Sequence, residues 1–153
     1  MGEVTAIDLV TIAFSIIAAV FSLITYRSNI VHDRCQATLE AYNQLQEQAL
    51  DYLNHYMPAE MREIAKRRQS DEYKQVSAYI ARIEHFCVSV NLKIYDRSTV
   101  YKLAHGYFEG SLKRRIAPII DQKNQNGEDY YSNIRKVYAW MEKRGNSQMR
   151  KSK

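Results

Sequence analysis

The sequence predicts an all-α protein: a single N-terminal transmembrane helix followed by a small cytoplasmic helical bundle of four to five helices. Three observations predict it. Only 5 glycines and 2 prolines punctuate 153 residues, too few for a loop-rich β architecture. An uncharged run occupies residues 9–26. Downstream, apolar residues recur at spacings of 3 and 4, with no strand-period stretch of useful length. Apolar content of 46% and charged content of 25% exclude wholesale disorder, and the length suits one domain. Two cysteines make neither a disulfide framework nor, alone, a four-thiolate zinc site.

The run at residues 9–26 sets the first element. A helix of its 18 residues covers about 27 Å, close to the ~30 Å hydrocarbon core of a bilayer. A cleaved signal peptide would need a basic start and a small-residue cleavage site. Here Glu3 and Asp8 come first, and Leu23-Ile24-Thr25-Tyr26-Arg27 ends the run. A helix buried in a soluble core rarely stays apolar on every face for so long. An uncleaved single-pass anchor is therefore expected. Residues 1–26 hold no Lys or Arg, whereas residues 27–153 hold all 22, beginning with Arg27 and Arg34. The positive-inside rule leaves residues 1–8 outside and residues 27–144 in the cytoplasm of an inner-membrane protein, with Tyr26 at the interface. A reducing compartment suits Cys35 and Cys87 as free thiols. Within the span, Thr11, Ser15, Ala18, Ser22 and Thr25 share one stripe, while Ile12, Phe14, Ile16, Val20, Phe21 and Leu23 fall elsewhere. Small and hydroxyl residues let membrane helices approach and bond, which predicts homo-oligomerisation through the stripe. The alternative is that each hydroxyl bonds back to its own helix.

From Asp33 the pattern stays helical. Leu39, Tyr42, Leu45 or Gln46, Ala49, Leu50, Leu53 and Tyr56 mark one face, and no Gly or Pro separates them from the membrane run. Met57-Pro58 stops this stretch, and Pro58 opens a short helix reaching about Arg68. Ser70 caps the next helix, with Asp71 and Glu72 in its first turn. Tyr73, Val76, Ile80, Ile83, Cys87, Val90 and Ile94 then give the strongest periodicity in the chain, a core helix or a coiled-coil-like seam. Cys87 reads as a small core residue. Asp96 caps the following helix, with Val100, Leu103, Ala104, Tyr107, Phe108 and Leu112 inward; Gly106 and Gly110 would let another helix come close. Pro118 is expected to bend or break the segment before Ile119 and Ile120 close the core. Residues 123–129 read as a polar loop. A last amphipathic helix carries Tyr130, Tyr131, Ile134, Val137, Tyr138 and Met141, with Gly145 at its end. Residues 145–153 read as a basic, disordered tail. Most of the 12 tyrosines take inward positions with the hydroxyl at the rim.

Three stretches carry a family likeness: Tyr79-Ile80-Ala81-Arg82-Ile83-Glu84-His85-Phe86, then Ile94-Tyr95-Asp96 with Val100-Tyr101, then Arg115-Ile116-Ala117-Pro118-Ile119-Ile120. Over residues 10–142 the chain resembles a bacterial and phage family known only as a domain of unknown function. Lys93 departs from the pattern, standing where a glycine is expected in the turn. The resemblance implies membrane association and an α-helical fold, and implies no activity and no catalytic residues.

Motifs that would carry chemistry are weak. His32 and Cys35 lie one turn apart, but two ligands do not hold zinc. Glu84, His85 and Cys87 diverge around their helix. Arg27 and His32 match a loose Arg-x4-His nuclease pattern, yet Arg27 is explained as a topology anchor. There is no phosphate loop, Gly-x-Ser-x-Gly, His-Glu-x-x-His or Cys-x-x-Cys, so no cofactor, metal or catalytic residue is assigned. Basic residues cluster at Lys66, Arg67 and Arg68, at Lys113, Arg114 and Arg115, and in the tail at Arg150, Lys151 and Lys153. For a tethered domain, anionic lipid headgroups are the nearest partner of Arg27, Arg34 and the first two clusters. Nucleic acid is the lesser alternative, and a solvated face is the plain one. The function expected is a membrane-tethered, self-associating interaction module that recruits or senses a partner at the inner membrane. A membrane-acting effector of phage defence or exclusion is the runner-up, and a small hydrolase or nuclease without a local signature the third.

Overall fold

The computed structural model describes residues 6–127 and 129–151; what was expected of residues 1–5, Glu128, Ser152 and Lys153 lies outside them. Every regular element among the described residues is helical. Helix α1 (Ala6–Leu45) runs through a π-helical turn (Gln46–Leu50) into α2 (Asp51–Asn54) without a break. At ~1.5 Å per residue this rod is about 70 Å long. The extra residue in the π turn settles the inward register: Tyr42, Leu45, Ala49, Leu50 and Leu53 are buried and Gln46 is exposed. Leu39 is exposed, because the inward place one position earlier belongs to Thr38, which is fully buried.

Met57 is extended (φ −78°, ψ 155°) and starts α3 (Pro58–Lys66) with Pro58 in the first turn, where a missing N–H costs nothing. Ser70 accepts from the Tyr73 N–H at 3.1 Å and opens α4 (Asp71–Asn91). The α4 row is buried from Tyr73 to Val90 and stops there. Lys93 N–H bonds Val90 O at 3.2 Å and Ile94 N–H bonds Ser89 O at 3.0 Å, a Schellman closure that needs a left-handed residue. Lys93 is that residue, with φ +60°, at the position where a glycine is expected. The reversal turns Ile94 outward, leaving it 57% exposed.

Asp96 accepts from the Thr99 N–H at 2.7 Å and starts α5 (Arg97–Tyr107), which continues through a second π turn (Phe108–Leu112) into α6 (Lys113–Lys123). Pro118 sits inside α6 and does not end it; burial of Ile116, Ile119 and Ile120 on both sides holds the helix through the lost bond. A 3-10 turn (Asn124–Asn126) and Gly127, at φ +81°, lead out of α6. Helix α7 (Ser132–Lys151) runs past Gly145 and makes the expected tail helical as far as Lys151. At Gly145 a Cβ would meet Tyr101 Oη at 3.4 Å, an ordinary contact, whereas Gly106 and Gly110 have nothing within 4 Å and admit no close helix.

Helix α4 runs antiparallel to the lower half of the rod. Phe86 packs on Tyr42 with ring centroids 6.2 Å apart, Arg82 reaches Gln48 O at 2.8 Å, and the Asp96 N–H reaches Thr38 Oγ1 at 2.8 Å. Then α5 and α6 lead back down, with Tyr107 donating to Asn54 Oδ1 at 2.7 Å. Helix α7 climbs again: Tyr138 meets Phe108, Trp140 meets Tyr101, and Arg144 reaches Ser98 Oγ at 3.4 Å. Glu84 holds the α7 start, accepting from the Asn133 and Ile134 N–H groups at 3.0 and 2.9 Å.

A lysine in the left-handed region is strained relative to glycine by about 1 kcal/mol. Lys93→Gly should therefore raise the thermal midpoint by about 2–4 °C. An unchanged or lowered midpoint in a circular-dichroism melt would remove the strain argument.

Candidate functional site

Between residues 11 and 34 the rod packs on nothing among the described residues. Residues 11–34 are exposed throughout, with Phe14 69% and Phe21 66% accessible. The helix Thr11–Asn54 is long and apolar enough to cross a membrane: its best window has mean hydropathy 1.5, and none of that window is buried. Contiguous apolar exposure on this scale marks a surface that something covers. At 100° per residue, Ile12, Phe14, Ile16, Ile17, Val20, Phe21, Leu23 and Ile24 occupy about 200° of the helix circumference. Thr11, Ser15, Ala18, Ser22 and Thr25 fill an arc of about 80° in the remainder. Ser15 Oγ donates to Thr11 O at 2.8 Å, so this hydroxyl is engaged within its own helix.

The joint between free and packed halves is polar. Thr38 Oγ1 donates to Arg34 O at 2.7 Å and accepts from the Asp96 N–H at 2.8 Å. Burial raises the Asp96 carboxyl pKa, but the Thr99 amide and hydroxyl, the Cys35 thiol and the Ser98 amide outweigh it and leave the pKa below its ordinary value. Cys87 is fully buried, and burial, then Glu84, pushes its thiol far up. Among the described residues no three His, Cys, Asp or Glu side chains come together to hold a metal ion.

The structure splits the basic residues grouped by sequence. Arg27 and Arg34 lie exposed on the protruding half of the rod. The other six lie towards the opposite end of the bundle, because α4 starts, and α6 ends, beyond the level of Asn54. From Tyr26 to Asn54 the rod spans about 42 Å, several times the ~8 Å screening length. Lys66 pairs with Glu63 at 2.7 Å and Arg67 with Glu72 at 3.4 Å, and Arg68 donates to Gln125 at 3.1 Å. Lys113 lies 5.9 Å over the Tyr138 ring. Arg114 Nε donates to Gly110 O at 2.9 Å. Arg115, half-buried, donates to Asn54 and to Tyr107 Oη.

The bundle end from which the free half emerges brings together residues that the sequence had placed apart, in the α4 row, its closing turn and the tail. Leu92 and Ile94 are 67% and 57% exposed on either side of Lys93, and the exposed Arg150 lies about 9 Å along α7 from Arg144. Ile94 was expected to face inward and Arg150 to lie in a tail; that the α7 end comes here is fixed by the antiparallel returns.

Fold and surface together define an all-helical protein in which one apolar helix half is left uncovered by its own bundle. A family model described as "Domain of unknown function (DUF4760)" matches residues 9–141. The chain belongs to that family. No curated protein and no solved structure matches it.

Asp96 is a charged cap whose folded-state pKa is lowered. Its stabilisation is present above the unfolded value near ~4 and is lost as pH falls through the folded one. Asp96→Ala should cost about 1 kcal/mol at pH 7. The gap between variant and parent in urea melts should close as the pH is lowered from 5 to 2; a gap independent of pH would show that the charge contributes nothing.

Proposed function

We propose that the protein is a membrane-tethered helical module that self-associates and recruits or senses a partner at the inner membrane. The observation that carries this reading is the division of one helix: its lower half is core, and its apolar upper half is uncovered. A single packed helix would cover only one side of that half, whereas lipid covers all of it. The family model begins at residue 9, so the apolar run belongs to the same unit as the bundle. Arg27 and Arg34, following a stretch without Lys or Arg, favour an N-terminus outside and a bundle in the cytoplasm. Leu92, Lys93 and Ile94 face the same way as the free half, so the bilayer-facing end of the bundle is apolar and basic together.

In this arrangement the hydroxyl arc on the rod is the contact between copies. Ala18 and Ser22 allow close approach, and Ser22 and Thr25 supply hydroxyls for bonds across the pair, each contributing about 1 kcal/mol in lipid. Two membrane-borne bundles would then stand side by side and offer a partner a doubled surface.

Two measurements test these readings separately. The intact chain should pellet with membranes and resist an alkaline carbonate wash, while the chain lacking residues 1–26 should stay in the supernatant and keep its helical circular-dichroism spectrum. An intact chain that remains soluble and monomeric without detergent would end the tether reading. In micelles, Ser15→Leu with Ser22→Leu should weaken self-association about tenfold, read by sedimentation equilibrium; an unchanged mass distribution would remove the arc as an interface.

A further inference from the structure

We propose that the hollow between the start of α3 and the second π turn with α6 binds a small soluble polyphosphate-bearing anion, held by Arg62, Arg114 and Arg115. The hollow measures about 570 Å³ and is lined by Pro58, Arg62, Ser111, Arg114, Arg115 and Ala117. Its wall thus carries three guanidinium groups and a hydroxyl and no carboxylate. Among the described residues none of the three arginines has a carboxylate within ion-pair distance. The acids of α3 are engaged elsewhere: Glu63 pairs with Lys66 at 2.7 Å, and Glu60 accepts from the Met57 N–H at 2.6 Å. Three like charges around one concavity repel one another until an anion enters.

The arginines are also held in place. Arg115 is anchored through Nη1 by Asn54 and Tyr107, and its buried Nε–H has no acceptor among the described residues. Arg114 is tied through Nε to Gly110 O at 2.9 Å, which leaves its two terminal nitrogens for a ligand. Planar guanidinium forks match phosphate oxygens two at a time, and fixing them beforehand lowers the cost of binding. The volume is that of a small-molecule site. A nucleic-acid track would need cations strung along a groove, but the neighbouring Lys66 and Arg67 are already paired with carboxylates. The hollow also lies at the end of the bundle remote from the free half of the rod, so the ligand is a solute and not a headgroup of the membrane that the rod would cross. Binding here does not depend on whether that crossing occurs.

The test is calorimetric titration of the full chain with sodium pyrophosphate, and separately with ATP, at low ionic strength. The expected result is saturable binding that Arg62→Gln and Arg114→Gln each weaken about tenfold, while Lys136→Gln, which removes the same charge from α7, leaves it unchanged. Arg62→Lys keeps the charge and loses the fork, and should still weaken binding several-fold. Absence of saturable binding up to ~1 mM pyrophosphate would overturn the proposal, as would arginine variants that bind like the parent. Equal weakening by Lys136→Gln would reduce the effect to net charge and overturn it too. So would a single-stranded oligonucleotide that binds and is not displaced by excess pyrophosphate.

Discussion

The structure depends on one continuous helix doing two incompatible things. No glycine or proline stands between Gly2 and Pro58, so nothing in the sequence invites a kink between the apolar run and the bundle. The lower half is a core strut with Leu45, Ala49, Leu50 and Leu53 buried. Residues 11–34 of the upper half have no neighbour among the described residues. The joint between the two halves is tied at Thr38, whose hydroxyl links the rod backbone at Arg34 to the first amide of the α5 cap. A buried hydroxyl with both functions satisfied is rigid, and losing either partner would leave a desolvated group costing about 1–3 kcal/mol.

Antiparallel returns then decide which surfaces share an end. Helix α4 begins remote from the joint and ends beside it, α5 and α6 reverse that direction, and α7 reverses it again. The consequence is a molecule with two chemically different poles. One carries the free apolar rod, the Leu92–Lys93–Ile94 turn and the basic end of α7. The other carries paired basic residues around Arg67 and unpaired arginines around Ser111. Nothing in the linear order of Lys66, Arg114 and Arg150 says that the first two share a pole and the third does not.

Local signals in the sequence were legible where the physics is local. Ser70, Asp96 and Pro58 announce helix starts because capping and the missing proline N–H act within one turn. The row from Tyr73 to Val90 announces a buried face for the same reason. Lys93 stood out only as a departure from the family likeness; the Schellman closure that asks for a glycine there is seen in the structure. Gly145 and Pro118 do not stop their helices as expected: α7 runs on through Gly145 to Lys151, and α6 continues past Pro118 between buried isoleucines. The three-arginine hollow was half legible. Arg114 and Arg115 stood out as a cluster, but Arg62 lies some fifty residues earlier and joins them only because α3 folds onto α6.

The free half of the rod outweighs the other surfaces in energy. Covering a large apolar side chain contributes about 1.5–3 kcal/mol, and Ile12, Phe14, Ile16, Ile17, Val20, Phe21, Leu23 and Ile24 are all uncovered. Their combined burial is worth on the order of 10–20 kcal/mol, as much as the whole stability of an ordinary domain. None of these residues belongs to the core of the bundle. The environment of the rod is therefore decided by what surrounds it and not by what folds beneath it. A second rod laid along the hydroxyl arc removes about a quarter of the circumference from solvent and leaves the wide apolar arc exposed. Only a medium that closed around every face would remove the rest, so the proposed contact along the hydroxyl arc would be the smaller event of the two.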